Sequence, residues 1–204
     1  MKPKTLFQGA EATITLENNQ ITKHRLPKSY RLPQLDETIT KRRTRAEAKI
    51  MKKISKIIPV PEIIQSDEKN KTIIMQHIKG KKLSQHLDKF PLKEQKQILN
   101  QIGKSVAKLH KENIAHGDLT TSNMIYTKPL IYFIDFGLAF QNAKYEDKAV
   151  DIHLLKQALE AKHFKDWEIL YKEFLKTYQS KNKQESKKVL NQLIKVEKRG
   201  RYRH

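Results

Sequence analysis

Cysteine is missing from the 204-residue chain. Its absence removes disulfides and thiolate metal sites together and fits a reducing, intracellular setting, so a cytoplasmic protein is expected. Long apolar runs are missing as well. No stretch can cross a bilayer, and the N-terminal charges are not followed by the hydrophobic core of a signal peptide, so no membrane partner is expected. The eight histidines are scattered without a spacing such as His-Glu-x-x-His, which argues against a zinc enzyme. Acidic residues are scarce: 22 Asp and Glu stand against 42 Lys and Arg, a net charge of +20. That excess attracts polyanions, chiefly nucleic acid or an anionic membrane, although a merely solvated Lys-rich surface has the same composition. With 37% hydrophobic residues and no repeat or low-complexity block, the chain can fold as one domain or two small lobes.

What is present is concentrated in residues 114–137. They read Ile-Ala-His-Gly-Asp-Leu-Thr-Thr-Ser-Asn-Met-Ile-Tyr, a Thr-Lys-Pro turn, then Leu-Ile-Tyr-Phe-Ile-Asp-Phe-Gly. β-branched and aromatic residues at 124–126 and 130–134 predict paired strands across the turn. Asp118 precedes this hairpin, Asn123 follows five residues later, and Asp135 closes the second strand. Asp-Phe-Gly alone fits any β-turn. The joint spacing matches the catalytic-loop and metal-binding signatures of kinases. In phosphoryl transfer a protein mainly positions groups and neutralises charge. Asn123 and Asp135 would then coordinate magnesium, and Asp118 would orient and deprotonate an attacking hydroxyl or water.

The first eighty residues predict a small antiparallel sheet. Short strands at 5–8, 12–16 and 21–24 are separated by Gly9-Ala10-Glu11 and by an Asn18-Asn19 turn. A kinase places its glycine-rich, phosphate-covering loop at the first of these turns, where Gly9, Ala10, Glu11 and Ala12 stand. With a single glycine an ordinary hairpin reads equally well. Pro33 ends the next loop, and Asp36 or Thr38 can cap a long helix. Ile39, Ala46, Ile50, Met51, Ile54 and Ile58 recur near helical spacing, and Pro59 and Pro61 close the helix. Glu47 falls on this apolar stripe, where a carboxylate needs a cation. Lys23 is its expected partner, as in the lysine–glutamate pair of kinases, which would make Lys23 a contact for the α/β phosphates; an exposed Glu47 among basic neighbours is the alternative. Strands at 62–65 and 72–76 follow. The segment from Gln76 to Gly80 then leaves the sheet as a hinge would. On the kinase reading Met75 backs an adenine that the backbone around Gln76 and Ile78 meets.

Pro91 at a first helical position opens a helix with Ile98, Leu99, Ile102, Val106 and Leu109 on one face. Further helices are expected at 147–160, 164–178, with Trp167 and its apolar neighbours in the core, and 185–196. Asp151 can accept backbone N–H groups of the catalytic loop or stand on the surface. The terminal Arg199, Arg201 and Arg203 around Tyr202 suit an RNA-binding tail or a solvated terminus.

Two departures from ordinary protein kinases stand out. Gly117 occupies the arginine position of His-Arg-Asp, and Thr120 the position of a phosphate-contacting lysine. Fifteen residues separate Asp135 from Asp151 and contain no Ala-Pro-Glu, which leaves little material for a peptide-docking platform.

Taken with Lys23-His24-Arg25, Pro27-Lys28-Ser29-Tyr30-Arg31, Arg43-Thr44-Arg45-Ala46-Glu47-Ala48, the Gly117–Asn123 run and Arg199-Gly200-Arg201, the chain resembles the small atypical kinase/ATPase subunits of the KEOPS complex, relatives of the RIO kinases. The resemblance implies an α+β, minimal bilobal protein-kinase-like fold. A β-rich N-lobe with one long helix would cover 1–78, a helical C-lobe with the catalytic loop and metal-binding hairpin 79–198, and a basic tail 199–204. It implies ATP and Mg2+ as cofactors and a weak serine-directed kinase activity secondary to ATP hydrolysis. It also implies three partners: the threonylcarbamoyl-transferase subunit, a small subunit bound to the N-lobe, and tRNA destined for threonylcarbamoyladenosine modification. A stand-alone Ser/Thr kinase, a small-molecule phosphotransferase and a non-catalytic tRNA scaffold are the rival readings.

Overall fold

The computed structural model describes residues 3–9, 11–181 and 183–201. The chain divides into two units, one of residues 1–56 and 60–79, the other of 57–59 and 80–204. The architecture is α+β, with an antiparallel sheet in the N-terminal part and a mainly helical C-terminal part.

In the first unit β1 (Lys4–Gln8), β2 (Ala12–Glu17), β3 (Gln20–Arg25), β4 (Ile63–Asp67) and β5 (Thr72–Gln76) form a sheet of order β1-β2-β3-β5-β4. Glu17 pairs with Gln20, so Asn18 and Asn19 alone make the turn. Both have positive φ, 48° and 61°, the conformation that lets a two-residue hairpin follow the strand twist and that asparagine tolerates well. Between β3 and β4 runs α1 (Pro33–Ile54).

Four expectations for α1 need correction. Pro33 is inside the helix at its first turn, where its missing N–H costs nothing. Neither expected cap acts as one: Asp36 is buried in the first turn and accepts from the Lys28 N–H and the Arg31 guanidinium, both at 3.2 Å. Thr38 bonds back to the Gln34 carbonyl at 2.9 Å. The buried face is also rotated from the expected stripe. Ala46 is exposed and Ile39 half-buried, while Thr40 and Thr44 are buried. Their hydroxyls donate to carbonyls one turn back at 2.6 and 2.9 Å, so polar side chains reach the interior satisfied. The helix stops at Ile54, several residues before Pro59.

The second unit begins with β6 (Lys81–Lys82), α2 (Leu83–His86) and a 3-10 turn at Leu87–Lys89. The helix α3 (Leu92–Lys111) follows, with Pro91 as its N-cap rather than its first residue. Ile98, Leu99, Ile102, Val106 and Leu109 are each at most 1% exposed, a stripe worth about 1.5–3 kcal/mol per side chain. Next come β7 (Ile114–Ala115), a 3-10 turn at Thr121–Asn123, β8 (Met124–Thr127), β9 (Leu130–Phe133) and β10 (Phe140–Gln141). The chain continues through α4 (Tyr145–Lys162), α5 (Trp167–Lys181) and α6 (Lys183–Arg201). The expected hairpin is β8–β9, paired from Met124–Phe133 to Thr127–Leu130.

α3 and α5 approach closely because Gly103 has no side chain: a Cβ there would lie 2.7 Å from the Phe174 carbonyl. α5 starts at Trp167, leaving Phe164 78% exposed and Trp167 half-buried rather than in the core. Leu170, Phe174 and Tyr178 make the packed face instead. α6 runs through Arg201, so Arg199 lies on a helix and not in a tail.

Candidate active site

Glu47 in the first unit and Asp151 in the second are buried carboxylates around which the candidate site residues gather. In the first, β3 turns Lys23 and Arg25 to the same side, as residues two apart in a strand must be. They are 6% and 5% exposed. Glu47, 2% exposed, meets both from α1. Its Oε1 accepts from Lys23 Nζ at 2.7 Å and its Oε2 from Arg25 Nη2. The expected Lys23–Glu47 contact is therefore present, and Arg25 is a second cation that sequence reasoning passed over, although its strand spacing from Lys23 was the available signal. Arg25 Nε is buried without a hydrogen-bond partner among the described residues.

The turn between β1 and β2 is tight, with the Gly9 N–H donating to the Ala12 carbonyl at 3.1 Å. Ala10 lies outside the described residues. Glu11 is tied to Lys28 at 3.1 Å and Arg43 at 3.2 Å. Partial burial works to raise its pKa, but the Lys28 hydrogen bond and the charges of Lys28, Arg43 and Arg25 hold it below the usual value. Ala12, Met75 and Ile78 are buried. The Gln76 N–H is taken by the Glu62 carbonyl at 2.9 Å, so that group is withdrawn from those expected to meet a base.

In the second unit the catalytic loop is held from several sides. Asp151 on α4 is 1% exposed and accepts the backbone N–H of His116 at 2.7 Å and of Gly117 at 2.8 Å, the inward alternative of the two sequence readings. His110, 3.3 Å away through Nε2, completes its shell and in turn meets the Tyr178 hydroxyl at 2.9 Å through Nδ1. Burial pushes the Asp151 pKa up, yet the hydrogen bond and charge of His110, with the His116 contacts, bring it below the ordinary aspartate value.

His116 is fully buried. Its Nδ1 accepts the Asp118 N–H at 3.3 Å, which places the proton on Nε2, 3.2 Å from the Ile134 carbonyl. Burial lowers its pKa, against the opposing charges of Asp151, Asp135 and Asp118. The ring packs on Phe136 at 4.6 Å. His116 was missed as a site residue because its partners are backbone groups.

Asn123 donates from Nδ2 to both the carbonyl (2.9 Å) and Oδ2 (2.8 Å) of Asp118. Its own carbonyl accepts the Ile134 N–H at 3.0 Å. Ile134 is thus gripped at its N–H by Asn123 and at its carbonyl by His116, and this sets the next residue, Asp135. Asp135 is exposed with φ 61°, a left-handed turn closed by the Gly137 N–H at 3.3 Å from Oδ1. With the Asn123 nitrogen committed to Asp118, its Oδ1 is the atom left to meet a cation. An amide oxygen and a carboxylate are hard oxygen donors of the type that magnesium takes. No cluster of three or more His, Asp or Glu suited to a metal occurs among the described residues.

Gly117 has a steric explanation. Its φ is 79°, and a Cβ would lie 2.3 Å from the Leu138 carbonyl. The segment after Asp135 crosses directly over the loop and returns through β10 to pair with β7, Phe140 opposite Ala115. No arginine side chain can start from that position.

Of the terminal arginines, Arg199 pairs with Glu146 on α4, Arg201 is the last residue of α6, and Arg203 lies outside the described residues.

A loop aspartate steadied by an asparagine five residues on, beside an Asp-Phe-Gly turn, defines an ATP-dependent phosphoryl-transfer enzyme of the protein-kinase class, and the protein kinase domain family matches residues 8–170. The chain is 38% identical to the KEOPS complex subunit Bud32 of Pyrococcus abyssi over 98% of its length and 96% of that protein. It is 35% identical to a probable serine/threonine-protein kinase BUD32 homolog of Archaeoglobus fulgidus, over 97% and 95%. It also matches, at 34% identity over 98% of its length, 37% of a probable bifunctional tRNA threonylcarbamoyladenosine biosynthesis protein of Methanobrevibacter smithii. The chain belongs to the Bud32 family of protein kinases.

Proposed function

We propose that this protein is the ATPase and atypical serine/threonine kinase subunit of a KEOPS-type assembly, supporting threonylcarbamoyladenosine modification of tRNA. The observation that carries the reading is the short path from Asp135 to Asp151, folded over Gly117 and back through β10 onto β7. It provides phosphoryl-transfer groups without the length for a peptide-docking platform. The names of the relatives support the assembly and the tRNA product, since the match to the P. abyssi subunit covers nearly both chains. The M. smithii relative is bifunctional and matches this chain over about a third of its length, which favours a second activity working beside this one. The threonylcarbamoyl-transferase subunit, a small subunit on the first unit and tRNA are the proposed partners, and +20 net charge suits the last.

In this mechanism Lys23 would contact the α/β phosphates, and Glu47 fixes its ammonium at 2.7 Å. Asn123 and Asp135 would hold magnesium, which would supply charge neutralisation at the phosphates. Asp118 orients the attacking water or hydroxyl and accepts its proton. The Asn123 bond to Oδ2 fixes which carboxylate oxygen faces the nucleophile.

The test is ATP hydrolysis by the protein alone, with the transferase subunit, and with both transferase and tRNA. Hydrolysis that rises with the partner and disappears in Asp118→Ala is expected. Efficient phosphorylation of unrelated proteins without any partner would establish the stand-alone kinase instead.

A further inference from the structure

The far end of the catalytic loop rests on a histidine to which the mechanism above assigns no role. His163 is the C-cap of α4, its N–H donating to the Leu159 carbonyl at 2.8 Å, and it is 1% exposed. Its Nδ1 lies 2.8 Å from Asp88 Oδ1 and its Nε2 3.2 Å from Thr121 Oγ1. A carboxylate only accepts, so Nδ1 carries a proton toward Asp88; in the neutral ring Nε2 then accepts the Thr121 hydroxyl proton. Carboxylate, imidazole and hydroxyl stand in the order of a nucleophile triad. Thr121, however, is wholly buried, so its hydroxyl serves as a strut and not as a nucleophile.

Thr121 opens the 3-10 turn that ends at Asn123, and Asn123 grips Asp118. The opposite end of the loop, at His116 and Gly117, hangs from Asp151 on the same helix. Twelve residues of helix from Asp151 to His163 span about 18 Å. The five-residue step from His116 to Thr121 reaches about 17 Å when drawn out, and Thr120 is extended, with φ −130° and ψ 160°. One rigid helix is therefore long enough to hold the loop by both ends.

We propose that His163 is a positioning residue for phosphoryl transfer: by bridging Asp88 and Thr121 it fixes the turn that presents Asn123 and, through it, the carboxylate of Asp118. The proposal rests on the phosphoryl-transfer reading of Asp118 and Asn123. Asp88 provides the solvent-facing anchor, with a side chain 55% exposed, so the clamp can be altered there without disturbing the core.

Thr121→Val keeps the shape and removes the hydroxyl. It is expected to lower kcat for ATP turnover by about 10- to 100-fold, with KM for ATP within about twofold of wild type. Thr121→Ser, which restores the hydroxyl, stays within about threefold of wild type. Thr121→Val combined with His163→Leu falls no further than either alone, because both break one connection. Asp88→Asn gives a smaller fall in kcat and retains the fold. Hydrogen exchange by mass spectrometry rises at residues 116–123 in Thr121→Val and stays unchanged in α3. Wild-type kcat in Thr121→Val, losses that multiply in the double variant, or unchanged loop exchange would each overturn the proposal. Absence of Asp118-dependent turnover in the wild-type protein would instead sink the phosphoryl-transfer reading, and the exchange measurement would still decide whether the clamp exists.

Discussion

Glu47 and Asp151 are both carboxylates almost wholly out of solvent, yet they are compensated in opposite ways. Glu47 faces two full cations, Lys23 and Arg25. Asp151 faces two backbone N–H groups and His110. The first arrangement suits holding a cation in place, because the carboxylate fixes the Lys23 ammonium at 2.7 Å. The second suits holding a loop, because backbone donors cannot move without moving the chain. Burial alone says nothing about role; the chemistry of the partners does.

Removing Glu47 has the largest expected effect. Glu47→Ala removes the carboxylate that buried Lys23 and Arg25 share and costs about 3–5 kcal/mol, read as a lower urea midpoint. An unchanged midpoint would end the comparison at once. Asp151→Asn comes next. One carboxylate oxygen becomes an NH2 group facing a donor, at a cost of about 1–3 kcal/mol, and ATP turnover should fall with it because the loop is released. If turnover survives while stability drops, Asp151 supports the fold and not the loop. Arg25→Met keeps the Lys23–Glu47 contact and removes an unpartnered Nε, so its cost stays under about 2 kcal/mol. A loss equal to that of Glu47→Ala would make Arg25 the principal partner.

Acid sharpens the contrast. The folded His116 pKa lies below the ordinary 6.5, so the unfolded chain binds the proton first. The stability this residue contributes is complete above 6.5 and is lost as pH falls toward its depressed folded value, at up to about 1.4 kcal/mol per pH unit. Asp151 acts lower: its folded pKa lies below 3.8, and its contribution disappears only as pH falls below that value. Denaturation midpoints at pH 7.5 and 5.5 should therefore differ less in His116→Gln than in wild type. The smallest effect is expected at the surface, where Arg199→Ala breaks an exposed pair with Glu146 and changes stability by less than about 0.5 kcal/mol.

Much of this was readable along the chain, and the misses follow one pattern. Periodicity placed Glu47 with Ile50, Met51 and Ile54, and that grouping held because a helix repeats regardless of its neighbours. The same reasoning put Ala46 inward and left Thr40 and Thr44 off the stripe, since hydrophobicity cannot show that a threonine satisfies itself on the preceding turn. Pro33 was read as the last residue of the loop where it is the first of the helix, because proline suits both sides of that boundary. Trp167 was placed in the core by its helical spacing with Leu170 and Phe174, whereas it is the first residue of α5 and stays half-buried while Leu170, Phe174 and Tyr178 make the packed face.

The sequence by itself determined the local matters: strand and helix periods, the Asn18–Asn19 turn, and the spacing of Asp118, Asn123 and Asp135. Each depends on residues a few positions apart. Only the tertiary structure decided that Arg25 shares Glu47, that His116 joins Asp118 to Ile134, that Gly117 lies under Leu138, and that His163 reaches Thr121 across 42 positions. Those contacts join groups distant along the chain and frequently end on backbone atoms, which every residue carries and no pattern of side chains distinguishes.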